Sequence, residues 1–353
     1  MTSNAVLDEA YQRLHGKGPE FGGDEEGNHG LSNHGPMAVE VMVRRGLDLD
    51  VHRWLDRYLD RLTDLPGTTE PITTHNWRAA LGDPRRIGDW TVYFTGQIAE
   101  QRWKQVLTTW WPRLLPGLIA GSTHGVIRVG HAVRALRAAD QDRIAATELG
   151  HGLAFWAARW RTLPGLAAPT GVRPARSALA AVPRLTEQSG FITHRLNRLA
   201  ELPGWPAALA ALQPADSPAD VPARLADLVH AATLGYLTHG QASPVLLVHT
   251  ATAPNAVRHV LPVLPTPMWV PSFTAAWHAS AAVTATYAPA QPETPSAPTL
   301  GNDPATEVLD RAARHGDEHV IKFADTALDA FDHTGDPDVL AAALHTTRLI
   351  PSP

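Results

Sequence analysis

The sequence predicts an all-α fold: a single compact multi-helix domain with long Pro/Gly-rich loops. Ala, Leu and Arg, which favour helices, are abundant, and strand-like alternation of β-branched residues is rare. Several stretches repeat apolar residues every three or four positions, the spacing of one helix face. Many of the 30 prolines and 27 glycines lie between these stretches.

Five stretches have this helical spacing. In one of them Val126, Val129 and Val133 fall on the same face. Asp303 followed by Pro304 is typical of a helix N-terminus, because a capping carboxylate precedes a proline in the first turn. The five predicted helices are Val51–Leu62, Ile119–Ala139, Asp140–Trp160, Ala219–Tyr236 and Thr306–Phe331.

Three segments rich in glycine or proline are predicted to be loops. Residues 16–35 form a flexible Gly-rich loop, and residues 163–176 form a connector. Residues 288–302 form a Pro-rich linker within the domain, because the helical stretch after it is short for an independent core. We therefore expect one domain over residues 1–353.

Composition excludes several classes of function. The chain of 353 residues has no cysteine, so it contains no disulfide, thiolate metal site or cysteine nucleophile. Its net charge is −5 with acids and bases intermixed, which argues against a nucleic-acid surface or a polybasic membrane patch. Residues 1–18 lack the apolar core of a signal peptide, and no apolar run is long enough to cross a membrane. The sequence therefore predicts a cytoplasmic protein.

Common nucleotide and hydrolase motifs are also missing from the sequence. There is no Walker loop and no G-x-S-x-G elbow, and Gly16-Lys17-Gly18 does not complete a G-x-G-x-x-G fingerprint. NADPH stays open as a cofactor, without a motif to bind it.

The 18 histidines are the most unusual feature of the composition. Imidazole is the commonest metal ligand, so the count favours a metal site without locating it. His34 precedes Pro36 and is expected at or just before a helix N-terminus, where a capping histidine is the alternative. His124 and His131 are seven residues apart on an apolar helix face, where hydrogen-bonded core histidines are more common than ligands.

Two further histidine motifs follow in the second half of the chain. His249 lies inside an apolar run, so it is expected to be buried with a metal or a carbonyl group as its partner. On one helix, His315, His319 and Lys322 would share a face. A lysine there would ordinarily extend to water, but a buried one beside a metal would be neutral or a carbamate formed with CO2.

The segment from His315 to His319 also reads H-x-x-E-H, a zinc-peptidase pattern. Gly316 weakens a continuous helix there, and few residues remain downstream to supply a further ligand. A zinc peptidase is therefore disfavoured.

Seven aromatic residues are concentrated in one third of the chain. Core packing is the simpler explanation for most of them, and the wall of a pocket for a flat aromatic substrate is the alternative. They are Trp77, Trp90, Tyr93, Phe94, Trp103, Trp110 and Trp111.

Five segments of the chain resemble the questin oxidase-like family. They occur in order along nearly the whole sequence, and the central block is the most specific. The segments are NHGPMA at 33–38, GQIAEQRW at 96–103, WWPRLLPGLIAGSTHGVIRVGHAVRAL at 110–136, LLVHTATAPNAVRHVLP at 246–262 and DEHVIKFADTALDAF at 317–331.

The resemblance implies an oxygenase that uses O2 to cleave a ring of a polycyclic aromatic, anthraquinone-type polyketide. It implies Fe(II) with five protein ligands: His34, His124, His249, His319 and a carboxylated Lys322. Four imidazoles and one carbamate suit several transition metals, so the donor set alone does not name iron. An octahedral ion with these ligands would keep one position open for O2 or a substrate oxygen.

Several alternatives stay open at this point. Some members of the family are described as NADPH-linked Baeyer–Villiger oxidases of the same substrate class. A metal-dependent hydrolase and a non-catalytic binding protein are further alternatives. Arg128, one turn from His124, is a candidate for orienting a substrate oxygen, and a salt bridge is its alternative role. The expected partner is a small aromatic polyketide, with no nucleic acid and no membrane, and the sequence does not predict an oligomeric state.

Overall fold

The predicted all-α class is confirmed. The computed structural model describes residues 3–20, 32–293 and 300–353. Apart from one pair of short strands, the regular structure of these residues is helical. They divide into two compact units, residues 1–162 (unit 1) and residues 163–353 (unit 2). The single domain expected over residues 1–353 stays a prediction.

Unit 1 contains eight α-helices and two short strands among its described residues. The strands β1 and β2 pair antiparallel, with Lys17 opposite Asp64 and Glu20 opposite Leu62. The elements are α1 (Ser3–His15), β1 (Lys17–Glu20), α2 (Gly35–Arg45), α3 (Val51–Leu59), β2 (Leu62–Asp64), α4 (Trp77–Ala80), α5 (Ile87–Glu100), α6 (Trp103–Leu114), α7 (His124–Ala138) and α8 (Arg143–Ala158).

The core of unit 1 is built around α7 and α8. Helix α8 packs against both α5 and α7, while α2 packs on α7 and α1 packs on α2 and α8. Almost every residue of α7 and α8 is buried, so these two helices present side chains to neighbours on all sides. Polar side chains on them therefore need partners inside the protein.

Unit 2 contains ten α-helices among its described residues. They are α9 (Ala175–Ala180), α10 (Ile192–Arg198), α11 (Trp205–Ala210), α12 (Val221–His239), α13 (Pro244–Leu247), α14 (His249–Val260), α15 (Trp269–Tyr287), α16 (Pro304–His315), α17 (Glu318–Thr334) and α18 (Pro337–Leu349). Helix α12 packs against α14, α15, α17 and α18, so it lies at the centre of the unit.

Four of the five predicted helices are confirmed, with shifted ends. They correspond to α3, α7, α8 and α12. The prediction for Val51–Leu62 ran too far, because the chain leaves the helix at Leu59 and Leu62 begins β2. The expected cap at Asp303 is also confirmed, since its carboxylate accepts a hydrogen bond from the backbone N–H of Thr306.

The prediction of one continuous helix over Thr306–Phe331 is wrong. Helix α16 ends at His315, Gly316 has a left-handed φ of 78°, and α17 begins at Glu318. Glycine at this C-terminal position costs no steric strain, so it ends the first helix. The expectation that His315 shares a helix face with His319 and Lys322 is therefore wrong as well. The His315 side chain instead contacts the Ile350 carbonyl, with Nε2 2.9 Å from the oxygen.

Two of the predicted loops extend beyond the described residues. In the loop predicted over residues 16–35, residues 17–20 form β1 and Gly35 begins α2, while residues 21–31 lie outside the described residues. In the linker predicted over residues 288–302, residues 294–299 lie outside them. Residues 163–174 of the predicted connector are not helical, and α9 begins at Ala175. Across the described part of the chain, no helix combines the length and apolar character that a membrane crossing needs.

Candidate metal centre

His34 lies in unit 1 immediately before α2. Pro36 occupies the first turn of that helix, as the sequence predicted. The backbone at Gly35 passes so close to its neighbours that a Cβ there would lie 2.7 Å from Leu14 and 2.8 Å from Tyr58. The absence of a side chain at Gly35 therefore lets the His34 segment approach α1 and α3.

The His34 side chain is buried and held by a carboxylate. Its Nδ1 lies 2.6 Å from Oε1 of Glu20, the last residue of β1. Glu20 also accepts hydrogen bonds from the hydroxyl of Tyr58 and, at 3.1 Å, from Arg61. The backbone N–H of His34 donates to the Tyr58 hydroxyl at 2.6 Å. Glu20 thus orients the ring of His34, and Tyr58 contacts both Glu20 and the backbone of His34.

His124 is the first residue of α7 and follows a strained turn. Gly121, Ser122 and Thr123 have φ values of 52°, 56° and 70°, so three consecutive residues lie in the left-handed region. For Ser and Thr this conformation costs roughly 1–2 kcal/mol each. The turn brings the carbonyl of Gly121 to 2.5 Å from Nδ1 of His124. Strain of this kind is common where a functional side chain must be held in place.

The two rings of unit 1 meet through their Nε2 atoms, which lie 2.8 Å apart. A carboxylate and a carbonyl only accept hydrogen bonds, so Nδ1 of each ring carries a proton, and in the neutral ring Nε2 presents a lone pair. Two lone pairs at this distance repel unless a shared proton or a metal ion lies between them. The spacing is close to that of adjacent nitrogen ligands bound at about 2.1 Å to one ion. These two residues therefore fit a metal ion.

In unit 2, His249 and His319 are buried and lie near each other. Their ring centroids are 5.6 Å apart and nearly perpendicular. His249 begins α14, and its Nδ1 lies 3.1 Å from the Leu246 carbonyl, so Nε2 is again the atom that presents a lone pair. His319 lies in the first turn of α17.

Two carboxylates of unit 2 surround His319. Nδ1 of His319 lies 3.6 Å from Asp317 and 3.7 Å from Glu318. Asp317 also caps α17 by accepting hydrogen bonds from the backbone N–H groups of His319 and Val320. Burial alone would raise the pKa of the Asp317 carboxyl, but its hydrogen bonds to His319 and to backbone N–H groups bring this pKa below its usual value. Asp317, Glu318 and His319 have ligand atoms close enough together to hold one cation.

Lys322 is buried more deeply than His319, the other predicted ligand in α17. Its side chain is 1% exposed, one helical turn after His319. Burying an ammonium group costs several kcal/mol unless its environment compensates. The structure therefore corresponds to a buried lysine and not to the alternative of a lysine that extends to water. Burial of this lysine is compatible with a neutral or a carboxylated side chain.

Arg128, the predicted catalytic residue, forms a buried ion pair in unit 1. Its Nε and Nη2 atoms donate to the two carboxylate oxygens of Glu148 on α8, at 2.5 and 3.0 Å. Burial alone would raise the pKa of Glu148, but Arg128 and His15 lower it to about 2. The observed contacts correspond to the salt-bridge alternative, and the catalytic role of Arg128 stays a prediction.

His131 belongs to a second ion cluster and not to the pair formed by His34 and His124. Its Nδ1 lies 2.8 Å from Glu40 on α2, and Nε of Arg134 donates to the same carboxylate at 2.9 Å. Burial alone would raise the pKa of Glu40, but Arg134 and His131 lower it to about 2. This cluster joins α2 to α7, the two helices whose N-termini carry His34 and His124.

The aromatic residues of unit 1 form a packed core. Trp90, Phe94 and Trp110 are fully buried, and Trp110 contacts Trp90 and Phe94 edge-to-face at centroid distances of 5.5 and 4.9 Å. Trp77 also packs edge-to-face on Trp110, at 5.1 Å. These contacts agree with core packing, the simpler of the two explanations given for the aromatic residues.

Sequence reasoning missed the acids that position the histidines. Glu20 lies in a segment predicted to be a loop, and no local pattern marks it. Glu40 and Glu148 lie at buried positions of helices that are mostly buried. An acidic residue at a core position needs a partner, so these two acids were a usable signal of buried ion pairs.

A comparison with protein families matches residues 52–164 to the questin oxidase-like family. This match confirms the resemblance inferred from the motifs, over less than half of the chain, and it indicates an oxidoreductase. The matched segment contains one predicted ligand, His124, and the other four lie outside it. No curated protein matches the chain.

Proposed function

From the similarity of residues 52–164 to the questin oxidase-like family, we propose that this protein is a non-haem iron-dependent oxygenase. Its proposed reaction is the cleavage, with O2, of one ring of an anthraquinone-type polyketide. The observation that carries the proposal is the pair of buried imidazoles, His34 and His124, whose Nε2 atoms converge at 2.8 Å.

The chemistry of this pair supports a divalent transition metal. Glu20 accepts the Nδ1 proton of His34, and a carboxylate in this position raises the basicity of the opposite ring nitrogen. The carbonyl of Gly121 fixes the tautomer of His124 in the same way. Fe(II), when bound, would supply the activation of O2 that closed-shell aromatic substrates require.

The family resemblance implies three further ligands, and these residues belong to unit 2. His249 and His319 are buried imidazoles, and Lys322 is buried one turn after His319. Carboxylation of Lys322 joins its Nζ to the carbon of CO2 and releases a proton, which gives an anionic oxygen donor. Such a group suits a divalent ion better than an ammonium does.

Iron content tests the ligand set. Wild-type protein and the variants His124→Ala, His319→Ala and His75→Ala are reconstituted anaerobically with Fe(II), and bound metal is measured by mass spectrometry. His75 is exposed and serves as the matched control. We expect about one iron per chain in the wild type and the control, and loss of it in the other two. Iron retained by either His124→Ala or His319→Ala would contradict one shared ion, and no bound iron in the wild type would overturn the proposal.

Oxygen uptake tests the reaction. The iron-loaded protein is supplied with a reduced anthraquinone and ¹⁸O2, and the product is analysed by mass. We expect O2 consumption without NADPH and two labelled oxygen atoms in a ring-opened product. One labelled atom together with a requirement for NADPH would contradict ring-cleaving dioxygenation and favour a Baeyer–Villiger oxidation.

A further inference from the structure

Unit 2 contains a cavity that none of the predicted metal ligands lines. Its volume is about 140 Å³, and it is bounded by α9, α12, α13, α14 and α15. The wall is mostly apolar, with Ala232, Tyr236 and Leu247 contributing to it. No described residue of the lining is acidic, but Arg176 and Arg184 both line it. The cavity thus combines an apolar interior with positive charge.

Of the two arginines that line the cavity, Arg184 is the more withdrawn from water. Its Nη1 donates to the carbonyl of Val182, whereas its Nε is enclosed and has no hydrogen-bond partner among the described residues. Burial lowers the pKa of Arg184 to about 10, as expected for a cation without a nearby counter-charge. A buried donor without a partner is costly, so an anionic acceptor in the cavity would be stabilising.

The volume of the cavity matches a small ligand. An apolar cavity of about 150 Å³ binds benzene, so a space of this size suits one six-membered ring. The planar guanidinium matches a carboxylate, which can accept two parallel hydrogen bonds from it.

We propose that this cavity binds a monocyclic aromatic carboxylate, with the ring among Ala232, Tyr236 and Leu247 and the carboxylate on Arg184. The ligand is therefore smaller than the tricyclic substrate of the proposed reaction. Binding requires no metal, so this proposal does not rest on the proposed function.

The test compares benzoate with benzamide, a neutral ligand of nearly the same shape. Binding to the full chain is measured by calorimetry, both as isolated and after metal chelation. We expect benzoate to bind at least about tenfold more tightly than benzamide in both states, because only the anion gains a charge-assisted hydrogen bond. Equal affinities, or benzoate binding that disappears on chelation, would overturn the proposal.

Two variants locate the binding site. Arg184→Met should remove the preference for benzoate. Arg311→Met, at an arginine of α16 that pairs with Glu307 and does not line the cavity, is the matched control and should keep the preference. Ala232→Trp retains every charge but fills the cavity, and it should abolish the binding of both ligands. Unchanged binding in Ala232→Trp would overturn the proposal even if Arg184→Met did not fold.

Discussion

At the scale of single residues, the hydrogen-bond acceptors beside His34 and His124 determine which ring nitrogen is left to bind a metal ion. His34 has the Glu20 carboxylate at Nδ1, and His124 has the Gly121 carbonyl. Both acceptors select the tautomer with a lone pair on Nε2. The surroundings of the two rings differ in charge, because only His34 has an anionic group at Nδ1. Substituting that anion should therefore change metal affinity without removing a ligand.

Glu20→Gln is expected to weaken Fe(II) binding by about tenfold or more, the effect typical of losing a group that orients a metal ligand. The Gln side chain can still accept from Nδ1 of His34 but carries no charge. Iron affinity is measured by competition with a chelator. Glu201→Gln, at an exposed position, is the matched control and should behave as wild type. Equal affinities for the two variants would contradict a role for the carboxylate.

Carboxylation of Lys322 should make the iron content of the protein depend on CO2. If this side chain is carboxylated, iron content should fall in buffer depleted of CO2 and recover when bicarbonate is added. Addition of ¹³C-labelled bicarbonate should also produce a carbamate carbon signal. Lys322→Met should lose both the signal and the iron, while Lys104→Met, at a half-exposed lysine, should keep both. A carbamate signal that persists in Lys322→Met would show that another lysine carries it.

At the scale of elements, helix ends position the candidate ligands. His34 immediately precedes α2, His124 and His249 begin α7 and α14, and His319 lies in the first turn of α17. The first backbone N–H groups of a helix lack partners within it, so these ends require caps or special turns. Asp317 provides a cap for α17, and three left-handed residues precede α7. The turn before α7 is the more sensitive of the two, because it also supplies the acceptor for His124.

Gly121→Ala should destabilise the protein by about 2 kcal/mol and lower its iron content. Its φ of 52° is unfavourable for alanine, and a Cβ there would lie 2.7 Å from the Phe155 ring. Gly46→Ala is the matched control, because Gly46 has a φ of 62° but open space around its Cβ position. We expect the control to lose about 1 kcal/mol in urea unfolding and to keep its iron. Normal iron content in Gly121→Ala would contradict a positioning role for this turn.

At the scale of the whole molecule, buried charge makes stability depend on pH. In unit 1, burial together with the nearby charges of His15 and Arg128 lowers the pKa of His151 to about 3 from its ordinary 6.5. Glu40 and Glu148, each paired with an arginine, have pKa values of about 2. All three groups therefore bind fewer protons in the folded chain than in the unfolded chain as the pH falls. Their contribution to stability is fully present above the pKa that each group has in the unfolded chain. It is lost as the pH falls toward the lower pKa that the group has in the folded chain.

The free energy of unfolding should consequently decrease as the pH falls below about 6.5, first because of His151 and then, below about 4.5, because of Glu40 and Glu148. A difference of one bound proton between the unfolded and the folded chain changes the free energy of unfolding by about 1.4 kcal/mol per pH unit. His151→Phe removes the first group and should flatten the slope between pH 6 and pH 5 in urea unfolding. His75→Phe changes an exposed ring and is expected to keep the wild-type slope. A wild-type slope in His151→Phe would contradict this assignment.

The sequence by itself determined the features that depend on neighbouring residues. Helical periodicity, the cap at Asp303 and the position of His34 before Pro36 are local, because each involves residues within one or two turns. Burial of His249 followed from the apolar run around it. Gly316 was also a local sign of a break, but the helical pattern on both sides of it led to the prediction of one continuous helix.

Only the tertiary structure decided which groups meet. Glu20 and His34 are 14 positions apart, and His34 and His124 are 90 positions apart, so no spacing in the sequence relates them. The ion pair between Arg128 and Glu148 likewise forms because α7 packs on α8. Such contacts arise where packing encloses polar atoms that must find partners, and the same residue types in another packing arrangement would have paired differently.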